Sequence, residues 1–115
     1  MSASFRFRDG DYPGSNGSIQ LYLEAIGAAA AAQHGADDPL AAFCRWRHEA
    51  WFTGQVIVLD EVLTDPAACA RFVAAFDAAT ERLIRDDEFS ESGRAWIAAA
   101  LGPLRARVAA AAAGG

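Results

Sequence analysis

Ten residues, Phe43-Cys44-Arg45-Trp46-Arg47-His48-Glu49-Ala50-Trp51-Phe52, constrain this chain more than any others. They hold two of its three tryptophans, one of its two cysteines and one of its two histidines. Wound as a helix from Pro39 at about 100° per residue, the apolar positions sweep roughly two thirds of the circumference. Leu40, Phe43, Cys44, Trp46, Ala50, Trp51 and Phe52 make up that arc. Only Ala42, Arg45 and Glu49 form a small or polar sector. A surface helix normally carries a narrower stripe. This segment is therefore either surrounded by the rest of the chain or turns an aromatic face to a partner.

The 115 residues suffice for one domain with a real core. Alanine is the commonest residue, which favours helix. All ten basic residues are arginine, a bias that a GC-rich genome explains without any selection for bidentate binding. The net charge of −5 argues against nucleic acid and anionic membranes, both of which call for a basic face. It suits a basic protein partner. No apolar run is long enough to span a bilayer, and no leader-like segment opens the sequence. With two cysteines 25 positions apart and no CxxC pair, the expected compartment is the cytoplasm and the expected thiols are reduced and buried.

Along the chain, residues 1–8 read as a short strand or extended arm, and 9–17 as a loop rich in turn formers. Ser18 caps a helix running to about His34, closed by Gly35. A rival reading pairs 4–8 with 19–24 as a hairpin, because Ile19–Glu24 also alternates. Asp38-Pro39 opens a second helix, carried to about Phe52. Residues 55–63 fit a buried strand or a helix, and helix is preferred in a chain this helical. Thr64-Asp65-Pro66 starts the most secure helix, with Cys69, Phe72, Val73, Phe76, Thr80 and Leu83 on one narrow stripe. A last helix spans about Glu91–Val108, kinked or broken at Gly102-Pro103. Residues 109–115 are expected to fray. The expected fold is all-α: a compact single-domain bundle of four or five helices, with a short N-terminal strand or arm.

Motifs for chemistry are sparse. Asp9-x-Asp11 fails as a calcium loop, because the twelfth position is Gln20 rather than a bidentate glutamate. The GSNGS run at 14–18 is neither a Walker loop nor a dinucleotide fingerprint. Cys44 and His48 stand one helical turn apart, but a nucleophilic pair also needs access and a lowered thiol pKa. Both cysteines lie on apolar stripes, so core packing explains them better. The adjacent carboxylates at 37–38, 60–61 and 86–88 read as helix caps or solvated acids. No catalytic residue, metal site or cofactor is expected.

Two readings follow. In the first, the chain is a non-catalytic binding protein, an inhibitor, immunity-type or regulatory partner of a basic protein. Its contact residues would be Trp46, Trp51 and Trp96, bordered by Asp86, Asp87 and Glu88. In the second, it is a small-molecule binder or minor enzyme, with Arg47 fixing an anion and Tyr22 and His48 as polar contacts. Within the fold, Arg47 is expected to pair with Asp60 or Glu61. A homodimer that buries the aromatic face against itself is a third arrangement.

Overall fold

The computed structural model describes residues 2–114. Its first element is a β-hairpin: the strand reading of the N-terminal residues holds, and the loop expected over 9–17 is mostly a second strand. Strand β1 (Ser2–Phe7) pairs antiparallel with β2 (Gly10–Ser15), in a register that sets Arg6 opposite Asp11. The two turn residues, Arg8 and Asp9, both have positive φ, 51° and 66°. That is the backbone signature of a type I′ turn, which matches the twist of the strands it joins. Arginine rarely adopts it. Distant groups hold it here: both Asp60 carboxylate oxygens accept the Arg8 N–H at 3.1 Å, and Arg107 donates to the Arg8 carbonyl at 2.6 Å.

A third strand, β3 (Val56–Val58), lies parallel to β1 and completes a sheet of order β2-β1-β3. A single 3₁₀ turn, Leu59–Glu61, follows it. This overturns both the helix expected over 55–63 and the all-α class. The fold is mixed α/β, mostly helical, with a small mixed sheet. The burial pattern gives the reason. Gln55, Ile57 and Leu59 are buried, while Val56 is exposed and Val58 half-buried. That is the period-two alternation of a strand, and it seats Ile57 beside Phe5 in the β1 register.

Strand β2 runs directly into α1 (Asn16–His34). Ser15 is the N-cap and accepts from the Ser18 N–H at 3.1 Å, so the helix starts earlier than the Ser18 cap expected. Residues 19–24 belong to this helix, which settles the rival hairpin. Helix α2 (Pro39–Glu49) is capped by Asp38, whose carboxylate accepts from the Leu40 and Ala41 N–H groups. It stops short of the expected Phe52. Helix α3 (Pro66–Arg85) is capped by Asp65, and Cys69, Phe72, Phe76 and Leu83 are buried along its stripe as expected.

The last helix has a physical solution to its proline. Helix α4 (Glu91–Trp96) passes into a π turn, Ile97–Leu101, and then into α5 (Gly102–Ala112). The Gly102 N–H reaches back to the Ile97 carbonyl, a five-residue bond. The wider turn lets the helix pass Pro103 without a break. Residues 109–112, expected to fray, remain helical, and Ala111 is buried.

The helices bury Phe5, Phe7 and Ile57 on one face of the sheet. Ile19, Tyr22, Leu23, Ile26, Phe72, Phe76, Leu104 and Val108 close over them. Each such apolar side chain contributes about 1.5–3 kcal/mol through burial. The opposite face carries the exposed Arg6–Asp11 pair, at 2.7 Å. No helix among the described residues is long and apolar enough to cross a membrane.

Helices α1 and α2 cross closely at Gly27, where a Cβ would stand 2.7 Å from Cys44 Cβ. Alanine at a helix interior is favoured over glycine by about 1 kcal/mol, but overpacking costs about 1–3 kcal/mol. Gly27→Ala is therefore expected to lower the urea midpoint. Gly17→Ala has no neighbour within 4 Å in α1 and is expected to raise it.

Candidate functional site

The last turn of α2, the loop after it and β3 carry most of the exposed aromatic and aliphatic surface. Trp46 is 55% exposed, Phe52 59% and Val56 36%; Ile84 on α3 is the other large hydrophobic side chain exposed among the described residues. Trp46 stays outward because α2 uses Leu40, Phe43 and Cys44 for its buried face. Phe52 lies beyond the helix end, in the loop that turns toward β3. That loop is pinned where the Gly54 N–H donates to Asn16 Oδ1 at 2.8 Å.

Arg47 organises this surface. Its guanidinium lies 4.3 Å from the Trp46 ring centroid and 5.7 Å from that of Phe43. The Trp46 and Phe43 rings meet edge to face at 6.3 Å. The same guanidinium donates to Glu61 at 3.2 Å, one of the two partners expected from the sequence. Cation–π stacking of this kind is worth about 0.5–1 kcal/mol at an exposed site. Its main consequence here is geometric. It ties the Trp46 ring to the turn that follows β3.

The other expected contact residues lie elsewhere or are committed to the fold. Trp51 is half-buried against the core. Trp96 donates from Nε1 to the Pro13 carbonyl at 2.9 Å and packs on Tyr22 and Phe89. Gly14 makes room for it, since a Cβ there would stand 2.3 Å from the indole. Asp86, Asp87 and Glu88 follow α3, where arginines partner them. Asp86 is 3.7 Å from Arg85, Asp87 3.4 Å from Arg94 and Glu88 3.9 Å from Arg82. Glu88 borders a shallow depression with Trp96, whereas the rings and charges around Trp46 are those of Phe43 and Arg47.

The three residues expected around a small-molecule ligand are not brought together. Tyr22 is a core residue whose hydroxyl donates to Thr80 Oγ1 at 3.2 Å, and burial raises its pKa. His48 lies in a groove of about 290 Å³ between α1 and α2, with Nε2 3.5 Å from Glu24. Arg47 belongs to the Trp46 surface. Both cysteines are free and buried. Burial, helped by the Asp38 charge, pushes the Cys44 thiol up to about 12, and burial also raises Cys69. These are packing thiols, the opposite of the lowered pKa that a nucleophile requires.

Sequence reasoning missed Phe52 and Val56 as surface residues. Extending α2 through Phe52 placed that ring on the helical arc, and reading 55–63 as helix hid the alternation that exposes Val56. Comparison with known protein families, with characterised proteins and with solved structures finds no match.

The buried thiol makes a pH prediction. An unfolded cysteine ionises at about 8.5, below the folded value of about 12 for Cys44. Stability from this group is thus complete below the unfolded value and is lost as pH rises toward the folded one. Tyr22 acts in the same direction. Urea midpoints are expected to fall between pH 8 and pH 10, and to fall less in Cys44→Ala.

Proposed function

We propose that this chain is a non-catalytic binding protein that engages a basic protein partner, in an inhibitory, immunity-type or regulatory role. The observation that carries the reading is the exposure of Trp46 and Phe52, at 55% and 59%, in the last turn of α2 and the loop that leads from it to β3. The other apolar side chains of the fold are mostly buried, so the chain has ample means to cover such rings. Tryptophan backed by arginine is a frequent composition of interface hot spots. The net charge of −5 favours a basic partner and speeds its approach. The pocket reading has less support, because Arg47, His48 and Tyr22 occupy three different settings. A cytoplasmic setting belongs to the same proposal, supported by two thiols that remain unbridged.

Capture of partners from the native host at low salt, followed by elution with rising salt, tests the reading. One basic protein is expected to leave stoichiometrically with salt. Trp46→Ala and Phe52→Ser are each expected to weaken its binding roughly tenfold or more, as at a hot spot. Asp86→Arg is expected to leave it unchanged. Iodide should quench a tryptophan component in the free protein that is missing from Trp46→Phe. If both aromatic variants retain full binding, the surface is misassigned.

A further inference from the structure

The sheet has two edges, and they are built differently. The β2 edge is guarded. Pro13 has no N–H to offer, and its carbonyl is taken by the Trp96 indole at 2.9 Å. Proline and covering side chains are common ways of closing an edge to further pairing. The β3 edge contains no proline, and Val56 on it is 36% exposed.

The register shows which backbone groups this edge presents. The Ser4 N–H donates to the Gln55 carbonyl at 3.2 Å, and Ser4 stands opposite Val56. In a parallel ladder, alternate residues of a strand bond to the same neighbour. Gln55 and Ile57 therefore face β1. The Val56 N–H and C=O and the Val58 N–H face outward. The Val58 carbonyl opens the 3₁₀ turn instead. Groups with this alternating spacing are matched by another extended backbone.

We propose that the outer edge of β3 accepts an extended basic segment of a partner protein as an added strand. This rests on the docking reading above and names the form of the docked segment. Strand addition draws affinity from main-chain hydrogen bonds and specificity from flanking contacts with alternate side chains. Phe52 stands in the loop leading into β3. The Arg47–Glu61 pair holds Trp46 next to the turn leading out of it.

Charge selects the occupant. Asp60 and Glu61 follow β3 in the 3₁₀ turn, one residue beyond Val58, and Glu49 is exposed before it. The arginines flanking the strand have acidic partners of their own, Arg47 with Glu61 and Arg6, opposite Val58, with Asp11. A second copy pairing through β3 would bring the same carboxylates to both sides of a symmetric interface. A foreign segment bearing arginine or lysine meets them favourably.

The test uses the full chain, labelled with ¹⁵N, and three acetylated hexapeptide amides. One alternates arginine with valine. The second alternates glutamate with valine. The third is the arginine peptide, N-methylated at every second residue so that it cannot pair along one edge. The arginine peptide is expected to shift the Val56 and Val58 amides and the Trp46 indole. The other two are expected to bind at least about tenfold more weakly, a difference that titration resolves.

Val56→Pro is expected to lose the peptide while keeping its melting temperature and the remaining amide spectrum, because the N–H it removes faces outward. Equal binding of the N-methylated peptide overturns strand addition. So do unmoved Val56 and Val58 amides, or a dimer seen by light scattering that Val56→Pro dissolves. If Trp46→Ala abolishes partner capture while Val56→Pro leaves it intact, the docking surface stands and the added strand falls.

Discussion

The pairing of β3 with β1 is the constraint on which the rest of this structure depends. It is short, only Val56–Val58 against Ser4–Arg6. Yet it joins chain segments separated by two helices and fixes where α2 must end. Once Ile57 is seated beside Phe5, the chain between Glu49 and Gln55 has to travel from the helix layer down to the sheet edge. The α2 helix cannot then continue through Phe52, and the ring that would have completed its apolar arc is left in a loop. Exposure of Phe52 thus follows from a strand pairing at a neighbouring stretch of chain, and is not a defect of α2 itself.

The same pairing brings Asp60 to the hairpin tip. Its carboxylate accepts the Arg8 N–H, so the turn between β1 and β2 is held by a group more than fifty positions away. Asp60 acts here as a local acceptor for a backbone bend that its residues do not favour alone. Arg47 and Glu61 make the second tie, between α2 and the turn after β3. The sheet, the hairpin and the aromatic surface are therefore linked through the 59–61 turn. Disturbing it reaches all three.

What the sequence disclosed follows from how local each signal is. The Asp38-Pro39 and Asp65-Pro66 starts were legible because a cap and an N1 proline act within one turn of chain. The α3 stripe was legible because its period is intrinsic to the helix. The hairpin was not, since Arg8-Asp9 lacks the asparagine–glycine chemistry of such turns and depends on Asp60 and Arg107 instead. Nor was β3, because three residues of alternation are too few to separate from a helical pattern. At the candidate site, Trp46 and the Arg47–Glu61 pair were readable from residue type and spacing. The fates of Trp51 and Trp96, and the placement of the acidic run at 86–88, depended on packing between elements distant in sequence.

The π turn has a consequence for the last helix as a whole. A turn that closes over five residues in place of four takes up one residue, about 100° of α-helical phase, without turning what lies on either side of it. The two halves of the helix are therefore out of step in sequence but share one bearing in space. Trp96, about 100° off the stripe of Leu101, Leu104, Val108 and Ala111 in an unbroken α-helix, is brought onto it and meets Tyr22. A single residue removed between Ile97 and Leu101 would restore the four-residue closure and leave Trp96 against Tyr22 and Gly14. The helix behaves as two segments sharing one axis, each aligned to its own neighbours, with one surplus residue as the offset between them.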